Sequence, residues 1–373
     1  MKIAFYSNTP LTDKKNWSGT IYKMYEQFLR LGFEVIWIKK IEFTAKEQKK
    51  FTLLEKVYNK IFNRGYNKHL FYLKAKIAAK KLQNQLEKID YDLFFVPTYV
   101  NDTVFLKIKK PIVYLNDANI GQLLNYYPYY SGFGILSKIE TKYLEKKALK
   151  NYSKIIYSSD WAADYALKNY GIDKNKVEVI KFGANLEVPK NWTFNKEFSN
   201  KIIFLFLAVD WERKRGELAY KSLKILKDKG YNVELLILGC NPDIEEDWVK
   251  IIPFLNKNEP SELKQIQEYL LSSHFLFVPT KADCTPIAFC EAAGYGLPII
   301  TTNTGGVSAH VENNKTGILL SDNASELDYA HKIEKLFTHD KIKEISIQSR
   351  MKYENELNWD TWGNNFLKLI KGL

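Results

Sequence analysis

The chain has 373 residues, 46% of them hydrophobic and 26% charged, with a formal net charge of +12. That length predicts two domains, and the balance of apolar to charged residues excludes a disordered chain. Cys240, Cys284 and Cys290 are odd in number and form no CxxC pair, so they signal neither a disulfide framework nor a zinc site and fit a reducing cytosol. In chain order, the first eight residues pass from strand-like residues straight into a polar turn. They lack a signal-peptide core, and no apolar run reaches membrane-spanning length, so a cytoplasmic location is expected.

Strands are expected at residues 2–6, 34–38, 93–97, 112–115, 154–158 and 177–181, with helices at 19–31, 74–87, 136–148 and 161–168 between them. A second series has strands at 202–209, 233–238, 274–279 and 298–302, and helices at 217–229, 260–272, 286–293 and 325–337. Alternating strands and helices predict parallel sheets covered on both faces. The two series meet near residues 185–200, where the charge balance also changes. Residues 1–190 hold 33 Lys and Arg against 18 Asp and Glu, while residues 191–373 hold 22 against 25. The basic excess thus lies in the first half, which predicts an anionic partner or surface for it. The last segment, from Trp359, reads as an amphipathic helix able to pack back across the boundary.

Four stretches carry possible chemistry. Asn16-Trp-Ser-Gly-Thr20 lies between the first strand and the first helix, without the GxGxxG spacing of a dinucleotide dehydrogenase. Asp210-Trp-Glu-Arg-Lys-Arg215 places three cations, Arg213, Lys214 and Arg215, just beyond a strand, where they read as phosphate contacts. A solvated charged turn is the alternative. Ala282-Asp-Cys-Thr-Pro-Ile-Ala-Phe-Cys-Glu291 opens a helix, with Thr285 as N-cap, Pro286 at the first helical position and Ile287 following. Such a helix start suits a phosphate. Asp283 in its loop and Glu291 deeper in the helix are the two carboxylates. Flanked by apolar residues, Glu291 needs a partner, either ribose hydroxyls or a surface lysine. Gly305-Gly306 forms a turn beyond a strand where backbone can approach a ligand.

These residues resemble the retaining family 4 glycosyltransferases of the GT-B fold. The likeness runs through nearly the whole chain and is strongest from Ile202 to Leu320. It implies two Rossmann-like domains facing across a cleft: an acceptor domain at 1–187 with the terminal helix 358–373 crossing back to it, and a donor domain at 188–357. It also implies a nucleotide-sugar donor and no essential metal or other cofactor. By resemblance Asp283 contacts donor-sugar hydroxyls, Glu291 the ribose, and Lys214 the diphosphate. Arg213 stands in for an earlier family arginine that is absent here. The backbone near Phe254 and Leu255 corresponds to the nucleobase contact, and Ser18, Gly19 and Thr20 to the loop that faces the diphosphate. Asp117, after an N-domain strand, is the acceptor-side candidate. The first acid is Asp where the family usually has Glu, one methylene shorter.

The acceptor is expected to be a saccharide, a lipid-linked glycan or a small molecule. The Lys-rich, aromatic stretch 43–81 reads either as a contact with anionic membrane or as a solvated helix surface. The Tyr-rich run at 125–133 could stack on a sugar or pack within its loop. Rival readings are a sugar-nucleotide epimerase and a non-catalytic binding protein. Nucleic acid is not expected, because the basic residues are scattered and no known binding module occurs.

Overall fold

The computed structural model describes residues 1–67, 71–196 and 201–373. Residues 68–70 of the basic stretch and 197–200 of the expected boundary lie outside the described residues. The chain divides into two compact units, Met1–Ile180 with Gly363–Leu373, and Lys181–Trp362.

The first unit runs β1 (Lys2–Ser7), α1 (Thr20–Arg30), β2 (Glu34–Lys39), α2 (Ala45–Phe62), α3 (Tyr72–Leu86), β3 (Leu93–Pro97), α4 (Val100–Thr103), β4 (Ile112–Asn116), α5 (Ile120–Leu123), α6 (Ile135–Asn151), β5 (Lys154–Tyr157), α7 (Asp160–Tyr170) and β6 (Val177–Val179). Its sheet has the order β2-β1-β3-β4-β5-β6, with every described pairing parallel. The inner strands β3 and β4 are buried along their whole length, as the unbroken apolar run Leu-Phe-Phe-Val-Pro requires of a strand covered on both faces.

The second unit runs β7 (Ile202–Leu207), α8 (Gly216–Asp228), β8 (Val233–Leu238), β9 (Val249–Ile252), α9 (Pro260–Ser272), β10 (Phe275–Val278), α10 (Ile287–Gly294), β11 (Ile299–Thr302), β12 (Gly317–Leu320), α11 (Glu326–Glu334), α12 (His339–Asn355) and α13 (Trp359–Ile370). Its parallel sheet has the order β12-β11-β10-β7-β8-β9. Helix α8 buries Ala219, Leu223 and Leu226, the i, i+4, i+7 stripe of a helix lying on a sheet. Strands β9 and β12 and the mostly polar helix α12 are not among the expected elements.

The change of unit falls after Ile180, earlier than the composition suggested. The segment beyond it is fastened to the second unit: the Cys290 thiol donates to the Phe182 carbonyl at 3.4 Å, and the Trp359 indole to that of Ala184 at 3.0 Å. Helix α13 starts in the second unit, but from Gly363 onward it belongs to the first. There Phe366 packs on Phe28 with ring centroids 4.8 Å apart.

Candidate functional site

In both sheets the chain reverses its direction of build beside the first strand. The reversal lies between β1 and β3 in the first unit and between β7 and β10 in the second. At such a point the loops leaving the two strands diverge and leave a crevice at their carboxyl ends, where ligands of open α/β sheets bind.

In the second unit the β7–α8 and β10–α10 loops are stitched together at this point. The backbone N–H of Lys281 donates to the Arg213 carbonyl at 2.8 Å, and the Arg213 guanidinium donates to the Ala282 carbonyl at 2.9 Å. Asp210 orients Arg213 from behind, accepting from its backbone N–H and from Nε at 3.0 Å each. Lys214 forms an ion pair with Asp283, both side chains being mostly buried. Arg215, in the left-handed region at φ 53°, turns away to Asp322 at 2.6 Å. The three expected phosphate cations are therefore divided: Lys214 joins the predicted carboxylate, Arg213 braces the loops, and Arg215 pairs elsewhere. A basic group held against an acid beside buried backbone can exchange that partner for a phosphate.

Helix α10 begins one residue later than expected. Thr285 is not the N-cap; Pro286 is, with non-helical ψ of 95°, and Ile287 is the first helical residue. The proline has no N–H to lose and its C=O accepts from Phe289 at 2.8 Å, so it caps from outside the helix. One and a half turns in, Glu291 is fully buried and its carboxylate takes hydrogen bonds from Lys257 Nζ at 2.6 and 2.9 Å. Of the two partners the sequence allowed for Glu291, a lysine is the one present here. Lys257 follows Phe254 and Leu255 on the loop leaving β9; Phe254 is 65% exposed and Leu255 partly buried.

The Gly305-Gly306 turn closes on the same loops. The Gly306 N–H donates to the Asp283 carbonyl at 3.1 Å, and the Thr304 hydroxyl to that of Lys281 at 3.2 Å. Beneath it the fully buried His310 ring contacts the Gly306 carbonyl through Nδ1 at 3.2 Å, and burial lowers its pKa to about 4. Thus Lys214, Arg213, Asp283, Glu291 and the glycine turn share the carboxyl edge of one sheet. Asp210, Lys257 and His310 are the members that sequence reasoning missed. Among the described residues no cluster of three or more His, Cys, Asp or Glu side chains is placed to hold a metal ion.

Ser18, Gly19 and Thr20 lie in the first unit, on the loop leaving β1 at that sheet's own reversal point. Trp17 and Ser18 hold φ of 49° and 56°, and Gly19 follows at 89°. Left-handed backbone at non-glycine residues costs roughly 1–2 kcal/mol each, and such strain gathers at ligand loops. Asp117 follows β4, its N–H donating to the Asn116 side chain at 3.0 Å. The stretch after it is pinned by Glu145 of α6, another residue the sequence did not single out. This buried carboxylate accepts from the N–H groups of Ile120 and Gly121 at 2.6 and 2.8 Å and from the Tyr170 hydroxyl at 2.6 Å. Burial nevertheless pushes its pKa up to about 7.

Comparison with known proteins bears on this arrangement. Residues 19–188 match the family described as Glycosyltransferase Family 4, and residues 189–355 match Glycosyl transferases group 1. Among curated relatives, Protein CapJ of Staphylococcus aureus is 24% identical over 269 residues, which is 69% of this chain and 66% of the relative. The capsular polysaccharide biosynthesis glycosyltransferase CapM of the same organism is 26% identical over 256 residues, 61% of this chain and 66% of the relative. The matched region thus spans a little under two thirds of either relative. Among solved structures, Anabaena HepE in complex with UDP and glucose superposes with a TM-score of 0.63 at 14% identity, covering 100% of both chains. With both units matched in sequence and the two-sheet architecture matched in space, the chain belongs to the family 4 glycosyltransferases and has their GT-B fold.

Proposed function

We propose that the protein transfers a sugar from a nucleotide-diphosphate sugar to a saccharide, lipid-linked or small-molecule acceptor, with retention at the anomeric carbon and without an essential metal. The observation that carries this reading is the Lys214–Asp283 pair at the reversal point of the second sheet, with buried Glu291 on the adjoining helix. The leaving diphosphate needs positive charge where its bridging oxygen gains electrons. Lys214 is the group able to supply it, with Arg213 holding the two loops in register.

In this reading the bond from the anomeric carbon to the β-phosphate oxygen breaks, and the electron pair leaves with the nucleoside diphosphate. The acceptor oxygen bonds to that carbon on the face just vacated, and its proton passes to the departing phosphate. The protein positions both partners and neutralises the leaving charge, a role that cationic side chains fill where a divalent ion otherwise would. Glu291 accepts from the ribose hydroxyls, and backbone near Phe254 and Leu255 meets the base. Thr285 to Ile287 and the Gly305-Gly306 turn line the phosphates. Asp283 reaches the donor sugar, and Asp117 and Ser18 to Thr20 are the first unit's own candidates for ligand contact.

HepE was solved with UDP and glucose, and CapM is named for capsular polysaccharide biosynthesis. UDP-hexoses are therefore the first donors to test, and oligosaccharides the first acceptors. The experiment is a thermal-shift screen of UDP-, GDP- and other nucleotide sugars, followed by donor-turnover assays with and without acceptor, in chelator. A donor that raises Tm and is consumed only with acceptor, at full rate in chelator, supports the reading. No stabilisation by any nucleotide sugar would sink it, and product formed without acceptor would favour an epimerase.

A further inference from the structure

The exposed side of the first unit repeats one pattern on two helices. On α2 one side carries the exposed apolar residues Leu53, Leu54, Val57 and Ile61, with exposed Phe62 off that stripe; on α6 the exposed apolar residues are Ile135, Leu136, Ile139 and Tyr143. The eight stripe residues are between 42% and 76% exposed. Both sets follow the spacing i, i+1, i+4, i+8, and both add lysines at i+3 and i+7: Lys56 and Lys60 on α2, Lys138 and Lys142 on α6. At 3.6 residues per turn this is an apolar stripe with a cationic flank, drawn twice.

The opposite faces already serve the unit's own packing. Phe51 of α2 meets Phe43 and Phe71 edge-on, and α6 buries Ser137, Thr141, Leu144 and Ala148. The outward stripes therefore add nothing to the core. They lie in one region, because the end of α2 is fastened to the start of α6. Gly65 and Gly132 to Gly134 exchange backbone hydrogen bonds at 3.1 and 2.9 Å, and the Asn67 N–H donates to Ser137 at 2.8 Å. Three of the four acidic residues of these helices are occupied elsewhere: Glu47 by Lys81 at 2.6 Å, Glu140 by the Tyr66 hydroxyl, and Glu145 in the interior. The fourth, Glu55 of α2, stands two residues from Leu53 and so on the other side of the helix. Among the described residues, none of the four flanking lysines enters an ion pair.

We propose that this α2–α6 face seats the first unit on an anionic lipid bilayer. The aliphatic and tyrosine side chains enter the boundary between headgroups and acyl chains, and the lysines meet headgroup phosphates. Charge selects this occupant. A second copy packed face to face would set lysine against lysine, and a nucleic acid would leave the aliphatic residues uncovered. The basic excess of the chain's first half attracts the same surface at longer range.

The test is co-sedimentation of the full chain with vesicles of phosphatidylcholine alone or mixed with phosphatidylglycerol. The parent should partition onto the anionic vesicles, and both the Ile61→Ser/Ile139→Ser and the Lys60→Gln/Lys142→Gln variants should lose about tenfold or more of that binding at unchanged Tm. Leu327→Ser, at a 49% exposed site on the second unit, should bind like the parent. Equal binding to both vesicle types, or full binding by the serine variant, would overturn the proposal. So would the absence of vesicle binding, and self-association abolished by the serine variant would then assign the face to a second copy.

Discussion

Lys257 donates to both carboxylate oxygens of Glu291, at 2.6 and 2.9 Å, from a side chain 35% exposed to one that is fully buried. The lysine sits on the loop of the expected nucleobase contact and the glutamate on the helix of the expected ribose contact. A ribose that binds Glu291 must share this carboxylate with the ammonium or displace it. Lys257→Met leaves the buried carboxylate without its cation, a loss worth about 2–3 kcal/mol when one partner stays near solvent. Urea unfolding at neutral pH should show that loss. Because ribose hydroxyls would then repair an unpaired acceptor, UDP should raise Tm more in the variant than in the parent. An unchanged stability would mean that Glu291 has another partner.

Lys214 and Asp283 should fail together. Lys214→Ala removes the charge proposed for the leaving diphosphate, and kcat should fall by about a hundredfold or more, the usual scale for losing one transition-state donor. Asp283→Asn keeps the shape but removes the carboxylate that positions the Lys214 ammonium and reaches the donor sugar, so its loss should be comparable. The double variant should be little worse than either single one, since both act through one unit. Tm within a few degrees of the parent would assign the losses to the site, and full activity in either single variant would remove that residue from the mechanism.

Gly216 opens α8 directly beneath the loop that carries Lys214, and a Cβ there would lie 2.0 Å from Cε3 of Trp211. No rotamer change of an alanine methyl relieves that overlap, so the ring or the loop must shift. Gly216→Ala should cost about 1–3 kcal/mol, the range for forcing an added methyl into a packed site. Transfer activity should fall with stability, because the shifted loop carries Lys214. Adding Trp211→Leu to the alanine variant should recover part of both. If the single substitution were neutral in Tm, the Trp211 contact would not be fixing this loop.

The strands of both sheets were largely legible because parallel strands covered on both faces must be almost wholly apolar, as Leu93–Pro97 and Val233–Leu238 are. Lys214, Asp283 and Glu291 were legible because charged residues stood beside strand ends and inside an apolar helix. The lysine paired with Glu291 was not. Lys257 lies 34 residues from Glu291 in a polar loop that contains other possible ion-pair residues, and only the fold selects it. Glu145 looked like an ordinary member of a charged helix until α5 and Tyr170 closed over it. The Pro286 cap differs from the expected Thr285 by one residue, a shift that residue preference alone does not resolve. The paired stripes of α2 and α6 follow the periodicity of any amphipathic helix; which face stays uncovered is decided by packing.

His310 links the glycine turn to pH. The ring is fully buried, its Nδ1 meets the Gly306 carbonyl, and among the described residues its Nε2 has no partner. A carbonyl acceptor requires N–H at Nδ1, so the neutral ring serves this site and a second proton would be buried without an acceptor. Burial accordingly lowers the pKa from 6.5 to about 4. Between those values the unfolded chain binds a proton that the folded chain refuses. Stability is therefore complete above about pH 6.5 and is lost as pH falls toward 4, by about 2 kcal/mol at pH 5. His310→Met should remove this component, so that parent and variant, compared by urea unfolding at pH 7 and pH 5, differ less at the lower pH. The turn also holds Asp283 through the Gly306 N–H at 3.1 Å. Donor affinity should decline over the same interval in the parent and stay flatter in the variant. Parallel pH profiles for the two proteins would show that His310 does not couple the turn to protonation.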